Sequence, residues 1–407
     1  MPMDLLECDA GLVRRDFIRE GRDGSYFAPI PSKFFRRKAA HAARGAFCLE
    51  EMTMRTKGVL FALYLTGAFF LVACGPSRPP GLERDAATPT LVWPPPPEAS
   101  RIMYLRSIAT PNDLGITKSF FRRVVEFITG PEQERIAQPY GVQVDAQNRI
   151  FVVDSAAKFV HVFDYLGASY ARIPGRASED LRFPIDVAID DQDRIYVTDA
   201  EGGKVFGFDL SGKRLFEQSW KGTLQRPTGI TYNHANGLLY VVDSLEHHVL
   251  AFDPSGLLRF QFGGRGEGDG QFNYPTNISS DREGRLYVTD TMNFRVQVFD
   301  RAGKFLSKFG RHGDALGDFS KPKGIALDSD GHIYVVEGLF DVVLIYDQSG
   351  RFLLSFGGPG NGPGQFWLAT GIFIDAQDRI YVADSYNHRI QVFQYMKEVK
   401  DGGGAKR

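Results

Sequence analysis

The sequence predicts an all-β chain folded as a six-bladed β-propeller, on three observations: a long repeat, the strand pattern inside it, and a strand missing from its last copy. Six copies of one unit begin at Pro139, Pro184, Pro227, Pro275, Pro322 and Ala369, a spacing of 43 to 48 residues. A period of that length, filled with β-branched and aromatic runs, marks propeller blades rather than the helix pairs of a solenoid.

Each copy divides into four short strands. In the fifth copy these are an inner strand (Gly324 to Asp328), a second (His332 to Val336), a third (Val342 to Tyr346) and an outer strand (Phe352 to Phe356). Polar turns separate them. The first turn opens on Asp145, Asp190, Asp281, Asp328 and Asp375 in five copies, and only Asn233 departs. The sixth copy stops after its third strand and runs into the charged tail 397–407. An unpaired edge of that kind invites aggregation, so another segment is expected to fill it. Residues 101–108 have strand character and precede the first copy, so the spacing predicts a ring over 101–396 locked through its two ends.

The fourth and sixth copies carry a further pattern, Asp290 to Phe299 and Asp384 to Phe393. These residues resemble NHL repeats, in which six such blades close into a ring. The resemblance covers Pro139 to Phe393 and implies a six-bladed fold serving as a binding platform, a scaffold or occasionally an enzyme; fold alone does not choose among these. Between blades, Phe272, Phe319 and Phe366 recur after glycine-rich stretches. They are read as inter-blade packing. The glycines match dinucleotide-loop spacing only superficially, because that fingerprint needs a strand before and a helix after.

The chain has 407 residues, a net charge of −1 and 43% apolar residues. A nucleic-acid partner is not expected, since Lys and Arg are scattered among Asp and Glu rather than gathered into a stripe. The ring is expected to be a monomer.

Ahead of the repeats lie Arg55 and Lys57, an apolar run from Gly58 to Phe70, and Leu71-Val72-Ala73-Cys74. The order of cations, short apolar core and small residues is that of an export signal over 54–73. Its end resembles a bacterial lipobox, which implies acylation of Cys74, cleavage before it and attachment to a membrane. Gly75 after the cysteine implies, by the same resemblance, delivery to the outer membrane of the cell envelope. Only Cys74 of the three cysteines would then survive processing, leaving the exported domain without a disulfide. Residues 1–53 show no clean period and are read as a misassigned or disordered extension; the rival is a basic cytoplasmic segment with an uncleaved anchor. Residues 74–100 form a proline-rich linker, extended and semi-rigid.

Catalytic motifs of nucleophile, metalloprotease or haem type do not occur in the sequence. Propeller sites are built from single residues on many blades, so the informative positions are those that break the repeat. The inner strand opens with Gly141, Gly229, Gly324 and Gly371, but with Asp186 in the second copy and Asn277 in the fourth. Both are expected at the channel mouth, either bonded to neighbouring backbone or presenting hard oxygens to a polar ligand or one Ca²⁺ or other divalent ion. Gluconolactonase-like propellers use a comparable Glu/Asn/Asp set for a catalytic metal, so resemblance to them implies a lactonase or lyase. The three-histidine zinc site of peptidyl-hydroxyglycine lyase has no counterpart, since His247 and His388 fall on opposite blades. The acidic column Asp154, Asp199, Asp243, Asp290, Glu337 and Asp384 is read as turn caps. After Glu337, Leu339 and Phe340 replace polar residues and are candidate loop-face contacts.

These readings combine into an envelope lipoprotein whose propeller binds an envelope protein, peptide or glycan without chemistry or cofactor of its own. The alternative is the metal-dependent lactonase or lyase centred on Asp186 and Asn277.

Overall fold

A computed structural model describes residues 82–84, 90–117, 134–174, 181–218 and 224–397. The extension 1–53, the signal 54–73, Cys74 and the tail beyond Lys397 lie outside the described residues.

Six antiparallel sheets form the blades of the ring, one per repeat. Blade 1 shows the pattern: Pro139–Val144, Ile150–Asp154, Phe159–Asp164 and Ser169–Ile173 run up and down in order. The registers Pro139↔Asp154 and Asp154↔Phe159 bring the start of the inner strand and the second-to-third turn to one end. Val144↔Ile150 and Asp164↔Ser169 place the other two turns at the opposite end. The ring therefore has a connection face, made of second-to-third turns and inter-blade links, and a turn face.

The core lies between blades. Each junction buries its own cluster; Phe151, Ile173, Val187, Ile195 and Phe206, for example, pack blade 1 against blade 2. Phe272, Phe319 and Phe366 are fully buried at three junctions, as the sequence predicts. Gly263, Gly310 and Gly357 make room for them at φ +103, +104 and +97: a Cβ there would stand 2.7, 2.6 and 2.4 Å from the phenylalanine ring. The glycine-rich stretches are thus irregular links between blades, as expected, and not phosphate loops.

The sixth blade closes as predicted. Ile102–Ile108 pairs antiparallel with Arg389–Tyr395, from Ile102↔Tyr395 to Ile108↔Ile390. Closure also reaches into the proline-rich linker, because Val92–Trp93 adds a fifth strand through Val92↔Met103 and Trp93↔Ile102. Trp93 packs 6.0 Å from Phe356 and 5.8 Å from Phe393. It covers Gly364, whose Cβ would meet the indole at 2.6 Å, as Phe352 covers Gly317 one blade earlier. The inter-blade wedge that outer strands supply elsewhere comes here from the linker.

Deleting residues 91–108 should abolish the single cooperative unfolding transition and produce oligomers on size exclusion, since the edge of Arg389–Tyr395 is then bare. Trp93→Ala should cost about 3 kcal/mol in denaturant unfolding, the low end for an aromatic truncation because the indole is half-buried.

Candidate functional site

The inner strands line a channel about the ring axis with a volume of about 510 Å³. Its wall includes Val142, Val187, Ile230, Ile278, Ile325 and Ile372, one per blade. Alternation fixes these apolar residues in the wall once the bulge after each strand's opening residue sets the register, as between Pro184 and Val187 or Ala369 and Ile372. First-to-second turns form the rim, with Asp145, Asp190, Asp191, Asp193 and Asp375. Arg149, Arg194 and Arg379 pair with Asp145, Asp190 and Asp375; Asp193 also meets Arg149 and Asp191 meets His234, and these two rim carboxylates are the more exposed.

Asp186 and Asn277 meet in this channel, at the end nearer the connection face. Neighbouring inner strands run close together at this level. A Cβ at Gly229 would lie 2.6 Å from Asn277 Cα, and one at Gly371 would lie 2.3 Å from the Tyr140 carbonyl oxygen. These are close approaches of neighbouring inner strands, and from this level the channel lining runs to the first-to-second turns on the turn face.

The amide of Asn277 donates to Asp186 Oδ2 across the axis at 3.2 Å. The main-chain N–H of Ile230 donates to the same oxygen at 3.2 Å, and that of Val187 to Oδ1 at 2.9 Å. Asn277 Oδ1 accepts from Ile325 N–H at 3.4 Å. Both anticipated arrangements therefore coexist: the pair converges, and both partners also bind neighbouring strand backbone. Burial pushes the Asp186 carboxyl up to about 7, against the pull of Ile230, Val187 and Asn277.

This pair fits a divalent ion poorly. Calcium takes six to eight oxygens, whereas both Asp186 oxygens already accept protein hydrogen bonds and Asn277 Oδ1 accepts one from Ile325. Among the described residues there is no group of three or more His, Cys, Asp or Glu able to hold a metal.

The acidic column does cap turns, and it does more. Asp154 accepts from Ala137, Gln138 and Ala157 amides, tying the second-to-third turn to the link before the inner strand. Glu337 does the same for Ser320, Lys321 and Leu339. In blades 4 and 6, Arg295 and Arg389 bond Asp290 and Asp384 at 2.7 and 2.8 Å and reach carbonyls of the preceding glycine-rich link. Blade 1 differs through a residue that the sequence reading missed. His161 is fully buried, bonded to Asp154 at 3.2 Å and to the Tyr170 hydroxyl at 2.8 Å. Gln297 and Gln391 bond Asp290 and Asp384 from the same column, so a histidine there was the available signal.

His247 and His388 do not meet. His247 is buried and accepts from Tyr274 N–H at 3.0 Å, while His388 bonds the Ala137 carbonyl. Leu339 and Phe340 stand 60% and 38% exposed on the connection face, and Trp367 and Tyr386, 5.6 Å apart, share that face.

Fold and channel together define a six-bladed β-propeller. The NHL repeat model matches residues 366–393, and a family described as a 6-bladed beta-propeller matches 107–220 and 279–339. No curated protein matches in sequence. Among solved structures, virginiamycin B lyase from Staphylococcus aureus is 16% identical at TM-score 0.50, covering 64% of this chain and 96% of that one. A gluconolactonase from Xanthomonas campestris is 16% identical at TM-score 0.51, over 80% and 99%. An auxiliary nutrient binding protein from Bacteroides thetaiotaomicron is 13% identical at TM-score 0.50, over 64% and 70%. At these identities the likeness is one of fold.

A carboxyl whose pKa rises from 3.8 to about 7 on folding holds its proton longer in the native state, so its contribution to stability is lost as pH rises between those values. Between pH 5 and 8 the wild type should lose about 3 kcal/mol relative to Asp186→Asn in urea unfolding. Parallel curves for the two proteins would mean that Asp186 is ionised in the native state throughout.

Proposed function

We propose that the protein is an exported envelope lipoprotein, held at the outer membrane through acylated Cys74, whose propeller binds an envelope protein, peptide or glycan without chemistry of its own. The channel carries this reading. Its wall mixes apolar side chains with polar ones such as Gln143, Thr231, Ser279 and Ser280, and the Asp186 carboxylate is engaged by two main-chain donors and one amide, an arrangement suited to receiving a ligand group rather than activating a nucleophile. The exposed carboxylates at the rim favour a neutral or cationic segment entering from the turn face. The export signal, cysteine and proline-rich segment in that order support delivery outside the cytoplasm.

The metal-dependent lactonase or lyase is the second reading. What favours it is the convergence of two oxygen-bearing side chains; what disfavours it is that three protein donors already engage Asp186.

A photo-crosslinking residue placed at Gln147 or Gln377 on the rim should capture one discrete envelope component in intact cells. Ser280→Phe, which fills the channel, should abolish the adduct while leaving the thermal melt in place. Purified protein dialysed against metal-free buffer should carry the same divalent content as Asp186→Ala/Asn277→Ala. One equivalent lost in the double variant, together with lactone hydrolysis by the wild type, would establish the enzyme instead.

A further inference from the structure

The N-terminal segment joins the ring through strand pairing at blade 6. From Trp93↔Ile102 and Val92↔Met103, the chain read backwards climbs alongside Ile102–Ile108 towards Ile108. Leu91 continues this course, its carbonyl accepting from Tyr104 N–H at 3.0 Å. Farther back, the Glu83 carbonyl accepts from Arg106 Nε at 3.1 Å, and the same guanidinium donates to the Asp113 carbonyl at 3.0 Å. Asp113 lies past the end of that strand, on the connection face. Leu82 is 6% exposed, within the cluster that seals blade 6 to blade 1. Leu82 and Glu83 are therefore held against the ring near the connection face.

Eight residue steps separate Leu82 from Cys74. They span at most about 29 Å. A six-residue inner strand is about 20 Å tall, so carrying the anchor around to the turn face would consume most of that reach.

The connection face also holds the exposed aromatic side chains. Tyr274, Phe340, Trp367 and Tyr386 are the exposed aromatic residues among those described, and all four sit in second-to-third turns or inter-blade links of blades 4 to 6. Met292 and Leu339, 51% and 60% exposed, stand among them. Trp and Tyr settle at the headgroup level of a bilayer, while Leu, Met and Phe enter the acyl boundary.

We propose that the connection face rests on the membrane that holds Cys74, the aromatic crescent of blades 4 to 6 entering the lipid surface and the channel opening away from it. This arrangement rests on the lipoprotein reading. It leaves the turn face free for the ligand.

The test uses the full chain, purified with its native modification and reconstituted into phosphatidylethanolamine–phosphatidylglycerol vesicles, with Cys8→Ser and Cys48→Ser. Single nitroxide labels go on Leu339→Cys, Tyr386→Cys or Asp191→Cys, the last on the turn-face rim. Power saturation should show labels at 339 and 386 favouring oxygen over a water-soluble nickel chelate by several-fold, and the label at 191 the reverse. Nickel-accessible labels at all three positions overturn the proposal. A mass spectrum of the Cys74 peptide from the same sample separates the two readings: acylated Cys74 with aqueous labels at 339 and 386 overturns the face assignment alone. Unmodified Cys74 overturns the anchor, and immersion of 339 and 386 in that sample would still uphold the lipid-binding face.

Discussion

Closure of the ring through Ile102–Ile108 is the constraint on which the rest depends. A blade buries apolar residues on both of its faces, and neither face is covered until the neighbouring blade is in place. The junctions therefore form a circuit in which the last seal requires residues far apart in sequence, Ile102 and Tyr104 packing with Phe366 and Phe393. Trp93 completes that seal by taking the wedge position that Phe352 holds one blade earlier. Contacts between chain ends are slow to form, but once made they cover the edge of Arg389–Tyr395 that would otherwise be bare.

The same closure governs the channel. Six strands meeting at the axis can carry side chains at one level only if most of them carry none, and Gly141, Gly229, Gly324 and Gly371 satisfy this. The two exceptions fill the remaining space and bond to each other. Asp186 and Asn277 thus act as a plug that fastens blade 2 to blade 4, while Ile230 N–H joins blade 3 to the same carboxylate. Between the rim and this polar pair the channel wall mixes apolar side chains with Gln143, Thr231, Ser279 and Ser280.

Most of this architecture was legible in the sequence because the repeat states it six times. The four-strand blade, the packing role of Phe272, Phe319 and Phe366, the capping role of the acidic column and the closing strand follow from periodicity and from the strand missing at the end. Three features were not legible. The depth of Asp186 depends on how closely glycine strands approach, which is a distance and not a pattern. The role of Trp93 was hidden by the prolines around it, whose composition suggests a free linker. His161 occupies a column that varies among blades, so its burial between Asp154 and Tyr170 emerges only with packing.

The way the linker enters the ring has a mechanical consequence. Tension on the N-terminal segment would pull Val92–Trp93 along its own axis, past Ile102–Ile108, rather than peeling it away bond by bond. Hydrogen bonds loaded side by side must yield together, whereas those loaded in series fail one at a time. Such tension would thus be opposed by the hydrogen bond at Glu83 and the wedged indole of Trp93 before it reached the blades.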